Sequence, residues 1–169
     1  MKGLALAVLL LAGCAGPRAS LPAVPSNIKK VALRTVVNQT QQFGMEDTLM
    51  RNIRDEFLKD GTISLVPEDK SDGVVVPAIT RYIVTPVQYD QNLLPTAYKL
   101  DIEADLKFLS RATGEILWEE KSMEVFEIYP APQLPGGKEE TAAQSDLWDQ
   151  LARDIVTRVV QGFGGRGSH

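Results

Sequence analysis

From Tyr98 to Phe108 the chain alternates without a break: Tyr98, Leu100, Ile102, Ala104, Leu106 and Phe108 fall on one side, and Lys99, Asp101, Glu103, Asp105 and Lys107 on the other. That period of two predicts a strand with one face in a core and the other toward water. Elsewhere the period changes. Met45, Leu49, Ile53 and Phe57 recur every four residues, Met50 widens the stripe, and Gly61 stands where a left-handed C-cap belongs, so an amphipathic helix is expected there. Glu46 and Asp47 near its start and Lys59 near its end suit the helix dipole. Leu147, Leu151, Ile155 and Val159 repeat the spacing inside a second long helix, expected over Glu139–Phe163. Val31, Leu33, Thr35 and Val37 read as one side of a first strand, and "TISLVP" reads as a short one. The β-branched run "GVVVPAITRYIVTPVQYD" is another strand, in which Pro77 and Pro86 must lie at an edge or a bulge, since neither has an N–H for a ladder.

"SRATGE", with Gly114 available for a positive φ, is a hairpin turn. In the returning strand, "ILWEEKSMEVFEIY", Ile116 and Trp118 start on one face, and Phe126 and Ile128 come later beside Met123 and Val125. The alternation blurs between Glu119 and Met123, which predicts a bulge. The order β-α-β-β-β-α, without internal repeat, gives an α+β fold: a two-layer sandwich of about four mostly antiparallel strands against two helices.

Outside this domain the pattern is different again. Gly3 to Gly13 is an aliphatic run behind a single positive charge, Lys2, and ends in small residues, the order of a secretory signal. At about a dozen residues it is short of the ~20 that cross a bilayer. It closes on Leu11, Ala12, Gly13 and Cys14, which resembles the bacterial lipobox, where the cysteine is acylated and becomes residue one of the mature chain. Stable anchoring takes more than one acyl chain, and lipoproteins of this kind carry three. The same resemblance to bacterial lipoproteins implies, from Ala15 after the cysteine in place of an aspartate, sorting to the outer membrane. The expected organisation is a signal peptide over 1–13, a lipidated cysteine and Pro-rich tether over 14–27, one domain over 28–163 and a disordered tail over 164–169. The tether reaches at most ~40 Å.

Charge removes one class of function. The chain has 169 residues and a net charge of −4, one unit more negative without Lys2, and no basic stripe to follow a nucleic acid. Cys14 is the only cysteine, so the fold stands without a disulfide. The single histidine is His169 in the tail, so no Ser-His, Cys-His or zinc arrangement can be built and no catalytic residue is assigned. Asp101, Glu103 and Asp105 share a strand face and could hold a hard cation, but a solvated face balanced by Lys99 and Lys107 accounts for them better, and no metal or other cofactor is expected. Trp118 and Trp148 read as core residues, and "NQT" at Asn38 as a polar strand exit.

Taken in order, the lipobox, "KKVALRTVVNQT", "LMRNIRDEFLKDGTISLVPEDKSDGVVV", "YDQNLLPTAYKLDIEADLKFLSRATGEILWEE" and the closing helix resemble the lipopolysaccharide-assembly lipoprotein family, LptE. The resemblance implies a non-enzymatic outer-membrane lipoprotein that sits in the barrel of the translocon protein LptD, helps it assemble, and assists delivery of lipopolysaccharide to the cell surface. Lys99, Lys107 and Lys121 are candidates for contact with lipid A phosphates; charge balance against Asp101, Asp105 and Glu119 is the competing account. A similar strand-helix opening occurs in TolB-N-like lipoprotein activators of periplasmic cell-wall synthases, the alternative reading.

If Cys14 is the acylated residue, Cys14→Ala gives an unprocessed precursor that takes up no labelled palmitate and is lost from the outer-membrane fraction. Unchanged labelling of that variant contradicts the lipobox assignment.

Overall fold

The computed structural model describes residues 28–162; Cys14, the tether and the tail lie outside the described residues. The chain runs β1 (Lys30–Leu33), β2 (Val37–Asn38), α1 (Met45–Asp60), β3 (Ser64–Leu65), β4 (Gly73–Tyr89), β5 (Pro95–Ser110), β6 (Ile116–Pro130) and α2 (Glu140–Gln161). Within these residues there is one sheet in the order β3-β1-β4-β5-β6, with β2 also on β4, and both helices pack on the same face. The α+β two-layer architecture is the one expected, with six strands in place of about four. The three long strands pair antiparallel, and the three short ones join the sheet in parallel.

The helix periodicities are realised as read. Met45, Leu49, Ile53 and Phe57 are buried, and Gly61, at φ 68°, ends α1 with its N–H on the Phe57 carbonyl. Leu147, Trp148, Leu151, Ile155 and Val159 bury the face of α2. Both meet the core side of β5, where Leu100, Ile102, Ala104 and Leu106 are fully buried and Phe108 stacks on Trp118.

The first strand is a correction. It is two short strands: Leu33 packs partly against the core as expected, but the next core residue is Val36, and Thr35 and Val37 are exposed. The cause lies in β4. Val75 and Ile79 turn their carbonyls toward this strand and accept from Arg34 N at 3.0 Å and Gln39 N at 2.9 Å. Pro77, between them, faces the same way and has no N–H to give. The ladder opens at that point, so Pro77 sits opposite a gap, and Pro86 lies on a free edge beside a register shift.

Register shifts also re-aim β4 and β6. One between Ile79 and Arg81 moves the core positions of β4 from Val75 and Ile79 to Tyr82 and Val84. In β6 the expected bulge falls at Lys121–Ser122, where Ser122 takes φ 52° and donates its N–H to Asp105 Oδ1 at 3.0 Å. A second shift, at Leu117, parts Ile116 from Trp118: the indole is buried and Ile116 is exposed. The bulge at Ser122 also overturns the placement of Phe126 and Ile128. Met123, Val125 and Tyr129 turn to the helices, and Phe126 and Ile128 turn outward.

Two substitutions test this orientation. Ile102→Asp places an uncompensated carboxylate in the core and costs several kcal/mol in a urea melt, whereas Glu103→Gln on the outer face changes stability by less than about 1 kcal/mol. Equal losses contradict the facing of β5. At the start of β4, a Cβ on Gly73 would overlap the Phe108 ring, so Gly73→Ala lowers the melting midpoint unless that ring moves.

Candidate functional site

With both helices on one face, no second layer of helices or strands covers the other face of β4, β5 and β6 among the described residues. Register fixes its rows: Arg81, Glu103 and Glu124 lie side by side, then Ile83, Asp101 and Phe126, then Thr85, Lys99 and Ile128. Nearer the β5–β6 turn, Lys107 lies opposite Glu119. The face therefore has a charged half toward that turn and, toward the β4–β5 turn, a half in which exposed Ile83, Phe126 and Ile128 flank the charges of β5.

The side of β5 expected to meet water is more closed than its alternation implied. Asp101 is only 5% exposed. Lys99 Nζ lies 2.6 Å from its Oδ2 and 3.3 Å from Glu124, and sits 4.4 Å above the centre of the Phe126 ring. Arg81 Nε is 3.8 Å from Asp101 Oδ1, while its guanidinium binds Glu103 at 2.6 Å. Burial pushes the Asp101 carboxyl up, but the Lys99 ammonium and the Arg81 guanidinium outweigh it and hold the group below its usual range. The hydrogen bond to Asp101 in turn raises Lys99.

The three sequence-derived lysines do not form one cluster. Lys107 and Lys121 converge on Glu119, at 3.5 and 3.6 Å, in the charged half; Lys99 stands apart, at the border of the apolar half. The carboxylates considered for a cation are spent on separate partners: Asp101 on Lys99, Glu103 on Arg81, and Asp105 on the Ser122 amide. Sequence reasoning passed over Phe126 and Ile128 as outward groups. The signal was present, because a bulge before Met123 reverses every later side chain of the strand.

Beyond the last row lies the β4–β5 turn. Asp90 Oδ1 accepts from the Asn92 and Leu94 amides at 2.8 and 2.9 Å, and the backbones of Asp90 and Leu94 bond at 2.9 Å. These bonds hold Leu93 at φ 59°, a conformation unfavourable to a leucine. Leu93 is 80% and Leu94 59% exposed. A hollow of about 630 Å³ beside the turn is lined by Tyr89, Ile128, Tyr129, Pro130, Leu134 and Pro135. Ile28, where the described chain begins, is at the opposite end of the sheet, roughly 50 Å away along β4 at ~3.3 Å per residue.

The family profile described as LptE, lipopolysaccharide-assembly, matches residues 28–159, more than half of the chain. No curated protein matches the sequence. Similar solved structures include a hypothetical protein from Chlamydia trachomatis (10% identity, 79% of this chain and 96% of that one, TM-score 0.56). Another is a minor lipoprotein from Acinetobacter baumannii (15% identity, 79% and 94%, TM-score 0.51). A third is a DUF330 protein from Xanthomonas campestris (12% identity, 86% and 90%, TM-score 0.56). At these identities the likeness is one of fold.

Because Asp101 is depressed in the folded state, its pairing stabilises the fold above the carboxyl's unfolded-state pKa, and that contribution is lost as pH falls through the folded value. Asp101→Asn should therefore destabilise the fold at pH 7, and the difference from the parent should shrink toward low pH. A difference that stays constant down to pH 2 contradicts the pairing.

Proposed function

We infer the function from one premise: this chain belongs to LptE, the lipopolysaccharide-assembly lipoprotein family. We propose that it is a non-enzymatic outer-membrane lipoprotein, acylated at Cys14, that docks in the lumen of the LptD barrel and assists delivery of lipopolysaccharide to the cell surface. It calls on no cofactor beyond the lipid itself. The observation that carries this reading is the uncovered face of β4, β5 and β6, whose two halves suit two kinds of contact. A barrel lumen is polar, which suits the half where Lys107, Lys121 and Glu119 offer both signs of charge. The apolar half, with Ile83, Phe126 and Ile128, suits acyl chains, and Lys99 stands beside it to meet a phosphate.

The tether joins at Ile28, at the end of the sheet opposite the pole that carries Leu93 and Leu94. The acylated end and the apolar end of the molecule are thereby kept apart, and apolar contact at the far pole is left for a partner or for lipopolysaccharide in transit.

Of the three lysines proposed for phosphate contact, Lys99 should matter most. Exposed charges are screened beyond about 8 Å at physiological salt, so a phosphate is held only where its acyl chains are held too. Lys99→Ala and Ile128→Glu are each expected to weaken binding of purified lipopolysaccharide severalfold. The pair Lys107→Ala, Lys121→Ala should weaken it less and should instead lower recovery of the barrel after mild detergent extraction. Recovery of a periplasmic synthase in place of a barrel supports the activator reading, and lipopolysaccharide binding untouched by all four substitutions contradicts the proposed ligand face.

A further inference from the structure

A strand at the border of a sheet presents unpaired N–H and C=O groups to any chain that can align with them, and folded proteins guard such borders with prolines, bulges, short strands or charge. Three of the free borders here are guarded. β3 is two residues long. The free stretch of β4 beyond Ile79 carries Pro86 and is broken by register shifts. The first part of β6 carries Glu119, Glu120 and Lys121 and ends at the Ser122 bulge.

The rest of β6, Met123 to Tyr129, is the last strand of the sheet among the described residues, contains no proline and pairs with β5 without a break. Its charges are Glu124, which Lys99 approaches at 3.3 Å, and Glu127. Glu127 is drawn off by Lys138, whose Nζ lies 2.6 Å from its carboxylate. Beside this border, on the open face of the sheet, stand Phe126 and Ile128, both more than half exposed.

We propose that Met123–Tyr129 pairs with the same segment of a second copy, antiparallel and centred on Phe126, so that two sheets join into one. This register opposes no like charges. Phe126 meets Phe126 across the two-fold axis. Glu124 lies opposite Ile128 of the second copy, and Glu127 opposite Val125, so no two carboxylates face each other, an arrangement that would oppose pairing. Aromatic pairs directly across strands favour it. The contact is about 24 Å long and 10 Å wide, well short of the ~800 Å² per partner of a standard interface. Association is accordingly weak and concentration-dependent, and anchoring in one leaflet would favour it by raising the local concentration. This goes beyond the reading above, which uses the face of the sheet and not its border.

The register gives a test that needs neither lipopolysaccharide nor a barrel. Single cysteines are placed at 124, 126 or 128 of the full chain carrying Cys14→Ala, in detergent, under mild oxidation. All three positions are exposed and share one face of one strand. Across the axis the two Cα atoms at 126 come within about 4.5–5.5 Å, inside disulfide range, whereas 124 and its copy are about 14 Å apart, as are 128 and its copy. Phe126→Cys should give a band at twice the monomer mass. Glu124→Cys and Ile128→Cys should each stay monomeric alone and should cross-link when mixed. Equal cross-linking of all three singly, or none at 126 with sedimentation as a monomer at high concentration, overturns the proposal and leaves the function proposed above untouched.

Discussion

Each side chain of β5 points either into the helices or out across the open face, and the strands beside it inherit that division. Leu100, Ile102, Ala104 and Leu106 are fully buried beneath the helix layer. Burying a side chain of this size contributes about 1.5–3 kcal/mol, so a slip of one residue would move that whole set to the outside and its charged neighbours to the core. The cost of that slip fixes the register of β4 and β6 against β5. The rows of the outer face follow from it.

Those rows explain why the outer face is neither a plain solvated surface nor a basic one. Lys99 is held between Asp101 and Glu124 while its ammonium lies on the Phe126 ring, and Arg81 spans Asp101 and Glu103. Charge is thus neutralised locally along β5, and the apolar residues of β4 and β6 stay exposed on either side of it. A face of this kind meets mixed surfaces well: its ion pairs can be exchanged for a partner's groups one at a time, and its apolar flanks supply the attraction that screened charge does not.

How much of this could be read from the sequence depends on how local each cause is. The facing of Tyr98–Phe108, the stripes of α1 and α2, the Gly61 cap and the bulge near Ser122 are written in neighbouring residues, and they read correctly. The split of the first strand is written some forty residues away, in a proline of β4 that denies that strand a donor. Asp101 looks solvated until Arg81 from the next strand is laid beside it. Phe126 and Ile128 were misplaced although the bulge was foreseen, because its consequence, a reversal of every later side chain, was not carried through. The family was legible from the order of the segments together, since no single motif among them is specific.

The central claim is that the open face of β4, β5 and β6 is the working surface of this lipoprotein. Photo-cross-linking in intact cells tests it most directly, with a photoreactive amino acid at position 128 on that face or at position 55 on the exposed side of α1. The account predicts that position 128 yields an adduct containing a large outer-membrane barrel or lipopolysaccharide and that position 55 yields little of either. Equal adducts at the two positions, or adducts at 55 alone, would contradict it.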